Sequence, residues 1–220
     1  MRRRSPVPPA AVLLALLSAC GGDTARDVLP PRPPDAVREV LGAVRDRTGG
    51  RGPAPPANAA AVRAALTPQV RATLPPGTLL VVHERSGATS LPQRVATAGG
   101  VETVLTEDGI TLSFRDGVLV ASRGLGLDLM ESRVGDVVAA LRGGAAAATR
   151  SHAWLDGADR LVTRSFACRY AATSDGVRER CDGIGLGFEN LYVVRGGRIV
   201  ASRQWLGPEG GHIYVERLTF

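Results

Sequence analysis

Short hydrophobic segments separated by tight-turn pairs fill the sequence after residue 78, and no other feature constrains the fold as strongly. Asp108-Gly109 and Asp116-Gly117 separate three of these segments, and Asp-Gly between hydrophobic runs is a strong signal for a two-residue β-hairpin turn. Hydrophobic and polar residues alternate over 110–115, which is typical of a strand with one buried face. The sequence therefore predicts a mainly β fold of antiparallel meanders that form a sandwich or a partly open barrel, with a few short helices.

One nine-residue stretch occurs twice in similar form. Residues 115–123 and 195–203 share six of nine amino acids, and each copy contains a turn pair followed by a strand-like run. A chain rich in Ala, Arg and Val can produce one such pair by chance. The interpretation we prefer is that residues 78–220 form an antiparallel β domain of two similar, stacked meanders, at about 78–130 and 150–220.

Three short helices are predicted from hydrophobic residues at helical spacing. The first follows Asp35, a candidate N-cap, and the second follows Asn58 and is expected to end near Pro68. The third is expected over residues 134–142. Residues 35–77, which contain the first two helices and a Pro-rich linker, are predicted to pack onto the β domain. The alternative is that they only decorate the tether that precedes them.

The first twenty residues have the pattern of a lipoprotein signal. Residues 2–4 are arginines, and the apolar run over 10–17 is far shorter than the roughly 20 residues of a membrane-spanning helix. Leu17-Ser18-Ala19-Cys20 resembles the bacterial lipobox. Residues 1–19 are therefore predicted to be a signal peptide, and Cys20 is predicted to be the lipidated mature N-terminus. An ordinary secretory signal followed by an unrelated cysteine is the alternative.

The segment after the lipidation position predicts how the protein is held at a membrane. Residues 20–34 are rich in Pro and Gly and are expected to form an extended tether. By resemblance to enterobacterial sorting, in which Asp after the lipidated cysteine retains a lipoprotein at the inner membrane, Gly21 indicates the outer membrane. We therefore expect a lipid-anchored protein that faces the periplasm, with the inner membrane as the alternative.

The basic net charge does not indicate a nucleic-acid partner. All 27 basic residues are arginines, and loss of the three in residues 1–19 lowers the formal charge from +6 to +3. An exported chain is separated from the nucleic acids of the cell. Its modest net charge also does not indicate a surface that binds phosphate groups.

Cys168 and Cys181 are the two cysteines that remain in the exported chain. A turn signal lies between them, and a crosslink of that length is expected to add about 3 kcal/mol of stability. A redox or metal-binding pair is the alternative, although it favours closer spacing or nearby histidines. We therefore predict a structural disulfide.

No motif for a nucleophile, a metal, a phosphate or a dinucleotide occurs in the sequence. His83, His152 and His212 are not at metal-ligand spacing from one another. Asp128 and Glu131 are the acids considered for a glycosidase-type pair, but roles in a turn and at a strand edge are the simpler interpretation. We predict that the chain is not an enzyme and needs no metal or cofactor.

Arginine and tryptophan suggest a candidate ligand surface. Arg123 and Arg203 occupy the same place in the two repeated stretches, and Trp205 follows on the same predicted strand face as Arg203. Guanidinium groups bind carboxylates and an indole stacks on a sugar ring, so these three residues, with Glu189 beside them, are predicted to line a site for a polysaccharide. The alternative is that Trp205 is core and that the arginines pair with acids such as Glu189 or Asp128.

Several stretches resemble the YjbF/GfcB family of lipoproteins: residues 108–112, 115–121, 123–130, 166–168, 188–190 and 198–205. The resemblance implies an outer-membrane lipoprotein associated with capsule or exopolysaccharide assembly and export, without catalytic residues. The expected partners are the membrane, through the lipid, and a polysaccharide or components of its export machinery. A lipid- or polysaccharide-binding module is the alternative function, and a polysaccharide-modifying enzyme is the least favoured.

Overall fold

The computed structural model describes Val37 and residues 59–126, 128–143, 145–174 and 176–220. The predicted signal peptide, Cys20 and the tether lie outside the described residues, as does all of the first predicted helix except Val37.

The described residues form thirteen strands and three short helices. The helices are α1 (Ala59–Ala65), α2 (Pro68–Thr73) and α3 (Gly135–Leu141). The strands are β1 (Leu79–His83), β2 (Thr89–Ser90), β3 (Gln93–Ala98), β4 (Val101–Leu105), β5 (Thr111–Arg115), β6 (Val118–Arg123), β7 (Leu129–Arg133), β8 (Ala147–Leu155), β9 (Leu161–Ala172), β10 (Val177–Gly183), β11 (Leu186–Arg195), β12 (Arg198–Gly207) and β13 (Gly211–Arg217).

The strands build two antiparallel sheets. The larger has nine strands in the order β2-β1-β13-β12-β11-β10-β9-β8-β7, and the smaller has four in the order β3-β4-β5-β6. Leu79 and Ile213 of the larger sheet share a buried cluster with Leu112 and Phe114 of the smaller sheet. The prediction of a mainly β, antiparallel fold is confirmed, and the packing is that of a sandwich.

The division into two consecutive meanders does not match the sheet topology. Strands β1 and β2 belong to residues 78–130 and β7 begins at Leu129, yet all three lie in the nine-stranded sheet, whose other members come from the second half of the chain. Strand β1 pairs with β13, from the other end of the chain, rather than only with its neighbours in sequence. This pairing buries both Leu79 and Val81 in the sandwich.

The two repeated stretches lie in opposite sheets and contact each other. The Gln204 side chain of β12 donates to the carbonyl of Gly117 at 2.9 Å and accepts from the amide of Leu119 at 2.8 Å. Gly117 has a φ of +85°, and a Cβ there would lie 2.9 Å from the Cβ of Ile199. Glycine is therefore required at this turn both by its left-handed backbone and by the close approach of the two sheets.

The helices before β1 cover the other side of that strand. Val62, Leu66 and Leu74 share a buried cluster with Leu80 and Leu218. They thus pack on the face of β1 opposite to the sandwich core.

The second predicted helix corresponds to α1, which ends at Ala65, near Pro68 as expected, but Pro68 also begins a further helix, α2, that we did not predict. Thr67 is the N-cap of α2, and its hydroxyl accepts from the amide of Val70 at 3.3 Å. Proline fits the first helical position because the amide it lacks would have no partner inside the helix. The third predicted helix corresponds to α3, whose side chains Val137, Val138 and Leu141 pack with Tyr192.

Three of the four outermost strands contain an irregularity in their pairing. The register shifts between Arg94 and Ala96 in β3 and between Leu129 and Glu131 in β7, so that each strand has one extra residue. In β6 the extra residue is Val120, because Ala121 pairs with Ser113 of β5 and Leu119 pairs with the next residue, Phe114. The fourth outermost strand, β2, has only two residues.

Candidate functional site

The predicted disulfide is confirmed, and it joins two neighbouring inner strands of the nine-stranded sheet. Cys168 of β9 and Cys181 of β10 are directly paired across the two strands, with an S–S distance of 2.02 Å. Both residues are buried. A carboxylate oxygen of Glu179 lies within 4.8 Å of both sulfur atoms. The disulfide therefore lies next to the buried carboxylate group of Glu179.

Glu179 is fully buried and accepts hydrogen bonds from four side chains. Its Oε2 accepts from Arg150 Nη1 at 2.8 Å, from Asn190 Nδ2 at 2.7 Å and from the Tyr192 hydroxyl at 3.0 Å. Its Oε1 accepts from the Tyr170 hydroxyl at 2.8 Å. We call these five residues the Glu179 network.

Burial and neighbouring charges shift the pKa values of Tyr170, Tyr192 and Arg150 in this network. Burial, and then the negative charge of Glu179, raise the pKa of Tyr170 and of Tyr192. Burial alone would lower the pKa of Arg150, but Glu179 and the tyrosines outweigh it, and the net pKa is raised. Both tyrosines therefore remain hydrogen-bond donors and Arg150 remains charged. Because the side chains of Arg150 and Glu179 are enclosed and bonded to each other, this ion pair holds strands together rather than meeting a ligand.

A groove of about 560 Å³ opens where the β5–β6 turn, the β11–β12 turn and the end of α3 come together. Its apolar floor includes Val118, Leu141 and Ile199. The charged side chains that line it are Arg94, Arg142, Arg198, Arg217, Glu102 and Asp116. We call it the arginine groove.

The arginine groove has more positive than negative side chains. Arg217 donates to Glu102 at 2.7 Å, and Arg142 pairs with Asp116 at 3.2 Å. Arg94 lies 3.7 Å from Glu102, too far for a hydrogen bond. The exposed side chain of Arg198 forms no ion pair or hydrogen bond with a described residue. Four guanidinium groups thus face two carboxylates, which favours an anionic ligand.

Comparisons with known proteins give the family. A family model described as "Group 4 capsule polysaccharide lipoprotein gfcB, YjbF" matches residues 56–218. The chain belongs to the YjbF family. This membership confirms the resemblance seen in the sequence and supports a capsule-related role.

A solved structure shares the fold of this YjbF-family chain. It is the crystal structure of the hypothetical lipoprotein YmcC from Escherichia coli (K12), at a TM-score of 0.62 and 16% sequence identity. The alignment covers 69% of this chain and 88% of YmcC. Among curated proteins, no significant match was found. Within the part of the chain that the structure describes, no helix is long and apolar enough to cross a membrane.

Trp205 lies in the core of this YjbF-family chain, which corrects its predicted place on a ligand surface. Its ring stacks on Phe188 at a centroid distance of 4.4 Å and meets Phe166 and Trp154 edge-on. Only 6% of its surface is exposed. The physical reason is that an aromatic cluster buries more apolar area here than an exposed indole would. Trp205 is therefore not available to stack on a sugar.

The other residues of the predicted surface have separate partners. Arg203 forms two hydrogen bonds of 2.8 Å with Glu84, and Arg123 donates to the backbone carbonyl of Leu129 at 3.1 Å. Glu189 lies 3.4 Å from Arg178. The two arginines thus fix strand ends, as in the structural alternative, but not through Glu189 or Asp128. A role of these residues in binding stays a prediction.

His152 is a titratable side chain inside the aromatic cluster. It is fully buried, its ring centroid lies 5.3 Å from those of Phe188 and Trp205, and neither ring nitrogen has a hydrogen-bond partner among the described residues. Burial, and then the nearby Arg150, lower the pKa of His152 well below its usual value. The folded protein therefore holds a neutral imidazole.

We expect His152 to make the protein less stable in mild acid. The unfolded chain gains a proton near pH 6.5, whereas the folded chain does not, so the free energy of unfolding falls as the pH drops below that value. Between pH 7 and 5.5 the loss attributable to His152 is expected to be about 1 kcal/mol. Urea unfolding at the two pH values, for wild type and His152→Leu, measures it.

The matched control is His212→Gln. Burial, and then Arg203, also lower the pKa of His212, but this side chain is only half-buried and its Nε2 lies 3.0 Å from the carbonyl of Glu189. The control should keep most of the wild-type pH dependence. Equal pH dependence in wild type and His152→Leu would contradict the assignment.

Proposed function

We propose that this chain is a lipid-anchored, non-catalytic accessory protein of capsule or exopolysaccharide assembly or export, and that it faces the periplasm from the outer membrane. The observation that carries the proposal is the match of residues 56–218 to a family described by both capsule polysaccharide and lipoprotein. The lipobox-like position of Cys20, directly after a short apolar run, supports the anchor. The partners are then the membrane and a polysaccharide or its export components.

The acids considered for catalysis all have other contacts. Glu131 pairs with Arg133 at 2.9 Å, and Asp128 accepts from the amide of Gly124 at 2.9 Å and from the hydroxyl of Ser122 at 2.9 Å. A glycosidase requires two carboxyl groups facing each other across a cleft. These contacts favour a role in binding or assembly over a role as a polysaccharide-modifying enzyme.

A polysaccharide-binding module is the second candidate function, and the arginine groove favours it. Its excess of arginines and its partly open shape suit an anionic polymer better than the acyl chain of a lipid, which requires a pocket that encloses it. Binding of the polymer and an accessory role in its export are compatible.

Removal of the lipidated cysteine tests the proposed function in cells. In a strain lacking the native gene, wild-type protein should incorporate labelled palmitate, fractionate with the outer membrane and restore surface polysaccharide. The Cys20→Ser variant should lose the label and the membrane association, and surface polysaccharide should fall severalfold. Membrane fractionation, palmitate labelling and quantification of extracted polysaccharide measure these three results.

Ser18→Ala is the matched control, because it keeps a small residue before the predicted cleavage point and leaves Cys20 in place. It should behave as wild type. Normal surface polysaccharide in the strain that lacks the gene would overturn the proposed function. Palmitate retained by Cys20→Ser would overturn the lipid anchor alone.

A further inference from the structure

We propose that the arginine groove binds a strand of acidic polysaccharide, with Arg198 and Arg142 holding carboxylate groups of the sugar units. The proposal rests on the proposed function for its polysaccharide context, and on the geometry of the groove for its location and its preference for acidic units. It differs from the surface suggested by the sequence, since it includes neither Arg123, Arg203 nor Trp205.

The groove has a fixed framework. It lies where the two repeated turns meet, and two hydrogen bonds hold the sheets together there: Gln204 donates to the carbonyl of Gly117 and accepts from the amide of Leu119. The Gly117 turn and Ile199 approach so closely that a Cβ on Gly117 has no room. The floor of the groove is therefore set by the packing of the two sheets.

The arginines of the groove differ in their freedom to bind a ligand. Arg217 is 18% exposed and is tightly paired with Glu102, so it contributes to the framework. Arg142 is 59% exposed, and its partner Asp116 is 49% exposed. Such solvent-exposed pairs are weak and exchange partners readily. Arg198, at the start of β12, has no side-chain partner among the described residues to release.

The chemistry of these side chains selects the ligand. A guanidinium group binds a carboxylate through two parallel hydrogen bonds, and this planar geometry distinguishes a uronic acid from a neutral sugar. The groove is also partly open to solvent, as a site for a continuous polymer has to be, whereas a pocket for a small ligand encloses most of its surface. Phe220, 65% exposed at the groove, offers an aromatic face to a sugar ring.

Binding of the full-length protein in detergent to polygalacturonate, a polymer of carboxylated sugars, tests the proposal. The probe for neutral sugar is dextran, and the probe for lipid is a vesicle of phosphatidylglycerol. Isothermal titration calorimetry should detect binding of polygalacturonate that weakens with salt, and little binding of dextran. The double variant Arg142→Gln/Arg198→Gln should bind polygalacturonate at least tenfold more weakly, because it loses two charge-assisted contacts.

A matched double variant controls for the loss of charge. Arg133→Gln/Arg160→Gln also removes two positive charges, from side chains that are each 79% exposed and lie outside the groove. It should keep the wild-type affinity, and all variants should keep the wild-type melting temperature. An equal loss in both double variants, equal affinity for dextran, a preference for the vesicles, or no binding of polygalacturonate by wild type would each overturn the proposal.

The cellular experiment separates failure of the groove from failure of the proposed function. If the strain without the gene exports polysaccharide normally while the groove variants lose binding in calorimetry, the proposed function fails and the groove stands. If that strain loses export while Arg142→Gln/Arg198→Gln keeps full affinity, the groove proposal fails and the proposed function stands.

Discussion

Replacement of Glu179 with glutamine is expected to lower the free energy of unfolding by about 3–5 kcal/mol. The substitution preserves the shape of the side chain but removes its charge, and so leaves the guanidinium group of Arg150 buried without a counter-charge. The side-chain surfaces of these two residues are 1% and 0% exposed, so water cannot take the place of the lost partner. For a domain with an ordinary net stability of 5–15 kcal/mol, this loss is a large fraction of the total.

Urea unfolding measures this effect, with Glu189→Gln as the matched control. Glu189 is also paired with an arginine, but both side chains are about half exposed, and loss of such a pair should cost about 0–1 kcal/mol. A second variant, Arg150→Leu/Glu179→Leu, removes both charges and should regain part of the stability lost in Glu179→Gln. A loss below about 1 kcal/mol for Glu179→Gln would show that the buried pair does not stabilise the fold.

Loss of the disulfide is expected to have the second largest effect. The Cys168→Ala/Cys181→Ala variant should be less stable than wild type by about 3 kcal/mol, because the bond closes a chain segment with a sequence separation of 13 in the unfolded state. The methyl groups of alanine also leave space beside Glu179, which adds to the loss.

Unfolding with and without a reductant distinguishes the two contributions. Reductant should destabilise wild type and leave the Cys168→Ala/Cys181→Ala variant unchanged. Mass measurement after alkylation of the denatured, unreduced protein should show no modified cysteine at positions 168 and 181. Two alkylated thiols at those positions would mean that the bond does not form.

The strands that were predictable from sequence have regular alternation and a turn signal at an end. Strand β5 meets both conditions, and β6 follows the Asp116-Gly117 turn as a short hydrophobic run; both lie nearly where the sequence placed them. Strand β3 was missed because it follows Pro92 and is mostly exposed, so it has little hydrophobic contrast between its faces. Its place in the fold comes from pairing with β4.

Strand β10 was missed for a different reason. Its inward-facing positions include Glu179 as well as Cys181, so a buried acid interrupts the hydrophobic pattern that defines a strand. Because β10 was missed, the Glu179 network was not predicted either. Its members come from strands β8 to β11, and only the pairing of these four strands brings them together.

The repeated stretch lies at the arginine groove, but the residues that we chose from it for the ligand surface do not line that groove. The two copies do lie close together, since a Cβ on Gly117 would meet Ile199, although the predicted stack of two meanders does not describe how they are arranged. We assigned the ends of the strands, Arg123 and Arg203, to the ligand surface. The structure instead gives those ends fixed partners, whereas Arg198, at the start of β12, has no side-chain partner among the described residues. Partners supplied by distant segments, such as Glu84, cannot be read from a local pattern.

The irregular outermost strands have a consequence for how copies of this protein meet. An exposed strand with a regular row of free amides and carbonyls is a template on which another chain can add and begin an aggregate. Here the extra residues of β3, β6 and β7 break that row and increase its twist, and β2 is too short to offer one. In β6 the amide of Leu119 is also occupied by Gln204. The sandwich can therefore leave both of its sheets open at their sides and still resist edge-to-edge association.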